Sequence, residues 1–149
     1  MSAKIAAVLS NANEKQTETL GKFAETIGVA FQIQDDILNL TEGEFAEKKG
    51  LGEDITEGKR SLLVIHTLSK ANEKDRKRLI EILNMHTRNE KTIEEAIEII
   101  KKYDSIEYAK EKARNLVKVA WAEVDKIIPK SDAKEKLKAF ADYLVERTI

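Results

Sequence analysis

Residues 31–40, FQIQDDILNL, set Gln32, Asp35, Asp36 and Asn39 among Phe31, Ile33, Ile37, Leu38 and Leu40. On a helix, positions i, i+3, i+4 and i+7 share one face, so these four make a single polar stripe along an otherwise apolar segment. Two ionised carboxylates side by side repel each other and lose hydration as protein encloses them, and a divalent cation offsets both costs. Oxygen ligands without histidine or cysteine suit Mg²⁺. That ion usually takes one or two carboxylates and completes its octahedron with water and phosphate oxygens. The competing reading of a bare D-D-x-x-N helix is a solvated edge that binds nothing.

A second group follows in KGLGEDITEGKRS, where Lys49 and Lys59 come 17 and 27 residues after Gln32, with Arg60 beside them. A magnesium-bridged diphosphate needs both groups. Carboxylates hold the metal, the metal holds phosphate oxygens, and lysines neutralise the other side, so that diphosphate can leave. Gly52 and Gly58 allow close backbone approach in this loop. Glu53 and Asp54, between the lysines, are placed to orient them or a metal-bound water. A loop lysine is usually only solvated, so the signal lies in the joint pattern.

The elements that must position these residues read as helices. SAKIAAVLSNA forms a short apolar helix, and Asn13 with Gln16 resembles a capping pair for the next. From Thr17 to Leu40 apolar residues recur at helical spacing, and beyond Ile27 they are so dense that the second half should be enclosed by protein. Residues 41–59 hold four of the six glycines and read as an ordered loop with room for one helical turn. SLLVIHTLSKA is an apolar helix, Asn72 with Asp75 opens EKDRKRLIEILNMH, and Thr92 with Glu95 forms a T-x-x-E box for IEEAIEIIKKY. Asp104 and Glu107 open a long helix that Pro129 stops, and Ser131 caps the last one, with Leu137, Phe140, Ala141 and Leu144 as its apolar stripe. The expectation is an all-α fold, residues 1–149 as a single helical unit of six or seven helices. His66 reads as a satisfied interior histidine, His86 as exposed, and Trp121 and Phe140 as core or interface. The KDRKR run, residues 74–78, reads as a solvated face.

Composition narrows the function classes. Twenty-six basic against 27 acidic residues leave a formal charge of -1, which argues against bulk nucleic-acid or acidic-membrane binding, so any anion site is local. Absence of cysteine removes disulfides, thiolate zinc sites and cysteine nucleophiles, and suits a cytoplasmic protein. No apolar run approaches the roughly 20 residues of a membrane span, and MSAKIAAVLSNANEK does not read as a leader peptide.

Together, GVAFQIQDDILNL and KKGLGEDITEGKRSLLVIHTL resemble the second aspartate-rich motif of the trans-prenyl diphosphate synthases and the segment after it. The combination of QDDILNL with GEDITEGK is closest to the geranylgeranyl diphosphate synthases of the eukaryotic type, and YDSIEYAKEKARNLVKVA is similar to a later helix of the family. The resemblance implies an all-α isoprenoid-synthase bundle in which Mg²⁺ ions bridge two aspartate-rich helices and an allylic diphosphate. Ionisation then yields an allylic cation that isopentenyl diphosphate attacks. Carried over by position, Asp35 binds Mg²⁺ with Asp36 in support, and Gln32, Lys49 and Lys59 contact the allylic diphosphate. Asn39 stands where most relatives have Asp, and is assigned, with Asp54, to a supporting role behind the metal ligands.

The resemblance covers only the C-terminal half of such an enzyme. The first D-D-x-x-D motif, a Lys-Thr pair and the basic set for isopentenyl diphosphate have no counterpart here, and Lys4 lies too close to the motif to replace the pair. The expectation is one subunit of a split prenyltransferase, completed by a chain carrying the first motif, as a heterodimer or a dimer of heterodimers. Its opening Met and its final helix support that expectation. The alternatives are a non-catalytic regulatory or structural subunit, and a truncated fragment of a full-length synthase. Each implies that the chain alone is inactive. The split reading also requires apolar surface on the Ile27–Leu40 helix and on SLLVIHTL to be left for the other half.

Overall fold

Asn13 and Gln16 close a reciprocal box. The Asn13 side-chain oxygen accepts the Gln16 N–H at 2.9 Å and the Gln16 side-chain oxygen accepts the Asn13 N–H at 3.0 Å. Two of the donors orphaned at a helix start are thereby satisfied, and the helix begins at Glu14, one turn before the expected Thr17. The computed structural model describes residues 1–41 and 52–146. Among these are eight helices and no strand: α1 (Ser2–Leu9), α2 (Glu14–Asn39), α3 (Glu53–Thr56), α4 (Leu62–Lys70), α5 (Glu73–Met85), α6 (Glu90–Lys102), α7 (Ser105–Ile127) and α8 (Asp132–Glu146). The eighth is the single turn α3 inside the glycine loop. No helix among the described residues is long and apolar enough to cross a membrane.

Side-chain caps set most boundaries. Ser61 accepts from Val64 N–H, Asn72 from Asp75 N–H and Ser131 from Lys134 N–H. Thr92 and Glu95 do not form the expected box. Asn89 is the cap of α6, taking both the N–H and the hydroxyl of Thr92, and the helix starts one turn earlier at Glu90. Glu95 is left to pair with Arg78 across 2.6 Å. The basic run likewise divides. Arg76 donates to the carbonyls of Leu68 and Ala71 and so closes the end of α4, whereas the Lys77 side chain is 76% exposed.

The described residues fall into two compact units, 1–32 with 112–146 and 33–41 with 52–111. In the first, Phe23 meets Trp121 edge to face at 5.6 Å, and Ala7, Ala30, Ala113, Val117, Val124 and Ala141 are buried. The open carbonyls at the end of α7 are satisfied by side chains. Buried Lys134 donates to those of Asp125 and Ile128 at 2.9 and 2.6 Å, and Gln16 donates to that of Ile127. A cation at a helix C-terminus also complements the dipole there. Phe140 is 56% exposed, so of its stripe only Ala141 is buried, and Leu137 and Leu144 are half-buried. Helix α2 is less enclosed than its composition suggests: Ala30 is fully buried, but Val29 is 50% and Phe31 37% exposed.

In the second unit, α6 packs on α3, α4 and α5. Its Ile93, Ala96, Ile97 and Ile100 recur at i, i+3, i+4 and i+7 and are all buried, against a core that includes Ile37, Ile55, Leu63, Val64, Leu79, Ile82 and Leu83. Burial of each large aliphatic is worth about 1.5–3 kcal/mol relative to exposure. Beside this core lies a polar chain. Fully buried Thr67 gives its hydroxyl proton to the Leu63 carbonyl at 2.8 Å, so Ser105 must donate to Thr67 at 2.7 Å, and Ser105 can then only accept from His66 Nδ1 at 2.9 Å. The imidazole stacks on Tyr108 at 3.9 Å. His66 is thus a satisfied structural histidine.

Burial, assisted by the Lys70 charge and opposed by Asp104, holds the His66 pKa below its ordinary 6.5. The folded chain therefore prefers the neutral ring. The associated stability is present above pH 6.5 and is lost as pH falls through the lowered value. His66→Phe, which keeps the stack on Tyr108, is expected to flatten the decline of unfolding free energy just below pH 6.5 in denaturant titrations; an unchanged slope would assign that decline to other groups.

Candidate functional site

Everything at this site hangs on how the glycine loop rejoins α2. Asn39, in the last turn of α2, accepts the Gly52 N–H on its main-chain carbonyl at 2.9 Å and the Asp54 N–H on its side-chain oxygen at 3.0 Å. Gly52 has no side chain with which to cap α3, so another helix supplies the acceptor. At the other end the Gly58 N–H returns to the Ile55 carbonyl at 3.0 Å and the Lys59 N–H to that of Asp54 at 2.9 Å. This pair of bonds is a Schellman closure, which needs a left-handed residue, and Gly58 has φ +68°. The closure reverses the chain and sends Lys59 back toward α2.

Lys59 Nζ lies 2.6 Å from Asp36 Oδ1 and 3.0 Å from Asp54 Oδ2. The Asp36 side chain is 7% exposed and that of Lys59 36%. The structure therefore brings together Asp36, Asn39, Asp54 and Lys59 in the second unit, with half-buried Asp35 adjoining Asp36. Gln32 is exposed on the preceding turn of α2. Lys49 lies outside the described residues. Arg60 does not join the group, because its guanidinium donates to the Gly58 carbonyl and to Asn84. Glu53 is exposed on α3.

The electrostatics follow from unequal burial. Desolvation outweighs the Lys59 ammonium at Asp54 and raises its carboxyl above the ordinary value, with the Asp36 charge adding to the rise. Lys59 also loses water, which pulls its pKa down, but two carboxylates together overcome that loss and hold it above 10.5. Both values rise but with opposite effect: the rise favours the charged ammonium of Lys59, which sums two carboxylates, and disfavours the charged carboxylate of Asp54, which has one cation and a like charge nearby. The cluster is a short-range arrangement of three charges, net negative by one, at the edge of a packed core. Among the described residues no group of three or more histidine, cysteine or acidic side chains is gathered closely enough to hold a metal by itself. The donor set of Asp35 and Asp36 matches what Mg²⁺ takes from a protein when phosphate and water supply the rest.

A polyprenyl synthetase family model matches residues 1–100. The short chain isoprenyl diphosphate synthase of Methanothermobacter thermautotrophicus is 38% identical over 144 residues, which is 97% of this chain and 43% of the relative. The chain belongs to the polyprenyl synthetase family. Another family member, the geranylgeranyl diphosphate synthase of Sulfolobus acidocaldarius, is 35% identical over 147 residues, 98% of this chain and 44% of its own length. The crystal structure of geranylgeranyl pyrophosphate synthetase from Pyrococcus horikoshii superposes with a TM-score of 0.85 at 37% identity, covering 99% of this chain and 44% of that one. The chain thus spans less than half the length of these synthases.

Sequence reasoning named every residue in the cluster but not its contacts. It missed the buried Thr67–Ser105 pair, for which two small polar residues 38 positions apart give no signal. The glycines were the legible part. A Cβ at Gly58 would stand 2.6 Å from the Leu83 carbonyl oxygen and 2.7 Å from the His86 ring. Gly58→Ala therefore combines a left-handed backbone with a backbone clash and is expected to cost more than about 1 kcal/mol. Denaturant unfolding checks this, and an unchanged midpoint would mean that the closure is dispensable.

Proposed function

We propose that this chain supplies the second Mg²⁺-diphosphate wall of a trans-prenyltransferase of the geranylgeranyl or farnesyl diphosphate synthase type. The observation that carries the reading is the convergence of Asp36, Asp54 and Lys59 at the end of α2, in a family member less than half the length of its relatives. On this reading Asp35 and Asp36 hold Mg²⁺, and Gln32, Lys49 and Lys59 bind the diphosphate of the allylic substrate. Mg²⁺ bound there neutralises charge on the departing diphosphate. Asn39 acts through structure: its two hydrogen bonds set α3 in place, and α3 carries Asp54 and leads through the Schellman closure to Lys59.

The other wall comes from a cytoplasmic partner chain carrying the first aspartate-rich motif, as a heterodimer or a dimer of heterodimers, which is how closed assemblies of a dimeric family are built. Exposed Val29 and Phe31 on α2 and Ile65 on α4 give that partner apolar surface to cover. The purified chain is expected to show no condensation of allylic diphosphate with isopentenyl diphosphate, and a chain with the first motif is expected to restore Mg²⁺-dependent turnover. Activity of the isolated chain would refute the half-site argument. In the assembled enzyme Asp35→Ala is expected to lower kcat by about two orders of magnitude or more, each tenfold being about 1.4 kcal/mol of barrier. A rate that survives this change would point to a regulatory subunit instead.

A further inference from the structure

The Lys59 ammonium sits on Asp36, one of the two carboxylates assigned to the metal, at 2.6 Å, and reaches Asp54 at 3.0 Å. In that position it serves as the cation of the site. A divalent ion and an ammonium on one carboxylate oxygen repel each other strongly, and little water is present to screen that repulsion around a side chain that is 7% exposed. Lys59 is also the residue assigned to the substrate diphosphate. The same ammonium therefore has two partners with opposite consequences: on Asp36 it blocks the metal, and on a diphosphate it releases Asp36.

We propose that Lys59 is a resident counter-ion of the Asp36 carboxylate, which keeps divalent cations out until a diphosphate draws it away, so that metal and diphosphate binding at this wall are coupled. The proposal rests on the reading of Asp35 and Asp36 as metal ligands. Geometry supplies the means. Lys59 is the last residue of the Schellman closure, its N–H pinned by the Asp54 carbonyl, and its 36% exposed side chain can swing while α3 stays in place. Asp54 holds the ammonium from the side of α3, and that contact can persist when Asp36 is given up. Coupling of this kind is reciprocal: whatever diphosphate does for Mg²⁺, Mg²⁺ does for diphosphate by the same factor.

A lysine that only binds substrate, held clear of the carboxylates, would leave Mg²⁺ affinity nearly unchanged when removed. A resident counter-ion gives the opposite result. Titration calorimetry of the 149-residue chain with Mg²⁺ alone is the direct test. Lys59→Met is expected to bind Mg²⁺ at least about tenfold more tightly than the unaltered chain, and inorganic diphosphate is expected to tighten Mg²⁺ binding by a similar factor in the unaltered chain but much less in the variant. Because removing the ammonium can weaken the fold, Lys59→Gln is carried alongside, and thermal unfolding is followed by circular dichroism. Mg²⁺ should raise the midpoint of both variants and leave that of the unaltered chain nearly still. Adding Asp36→Asn to Lys59→Met should abolish the gain. Equal Mg²⁺ affinity with and without Lys59 overturns the counter-ion while leaving the metal assignment standing. Absence of Mg²⁺ binding in the chain and both variants, with diphosphate present, overturns the metal assignment and the counter-ion together.

Discussion

Asn39 makes two hydrogen bonds across a gap of more than a dozen residues, and the geometry of the site follows from them. Its carbonyl and its side-chain oxygen take the Gly52 and Asp54 N–H groups, and so tie the start of α3 to the end of α2. A four-residue helix has too few internal bonds to stand alone. It is held here from both ends, by Asn39 at its start and by the Schellman closure through Gly58 at its finish. Lys59 is the residue at which that closure releases the chain. An amide suits this position, since a third carboxylate would stand among Asp36 and Asp54 with one ammonium to balance them.

The core of the second unit supports this arrangement at its back. Ile55, the one apolar residue of α3, is almost wholly buried, and α3 packs on α5 and α6. Aliphatic burial thus presses the helical turn from one side while polar contacts gather on the other. The two glycines belong to the same constraint. Gly52 comes so close to Ile93 of α6 that a Cβ would collide with its side chain, and Gly58 lies against the Leu83 carbonyl of α5. Close packing and left-handed backbone are needed at the same two positions, which only glycine meets without strain.

On the proposed function the charges in the site have two uses that compete. A buried carboxylate needs a partner when no ligand is present, or it destabilises the fold. It needs to be available when the ligand arrives. A lysine that is two-fifths or less exposed and tethered at its main chain meets both demands, because its ammonium can exchange one anion for another without moving the backbone. On the proposed reading the price is a lower affinity for metal alone, which is tolerable where metal and diphosphate arrive together.

How much of this was legible depends on the range of the interactions. Helix class, most caps and the polar stripe of Gln32, Asp35, Asp36 and Asn39 are set by spacings of three and four residues, and they can be read along the chain. The α6 boundary shows the limit of that reading: T-x-x-E is a good local pattern, but Asn89 caps the helix through Thr92 and Glu95 pairs instead with Arg78 of α5. The exposure of Phe140 and Val29 was likewise not in the pattern, since periodicity marks a face without saying what covers it. The sequence by itself determined an all-helical member of the prenyl synthase family and the identity of its acidic and basic residues. Only the tertiary structure decided that Lys59 and not Arg60 meets Asp36, that Asn39 serves as a backbone clamp, and that His66 carries its proton on Nδ1. Those outcomes depend on contacts between residues 15 to 39 positions apart, where the closure of α3 and the packing of α5 and α6, and no local spacing, fix which atoms meet.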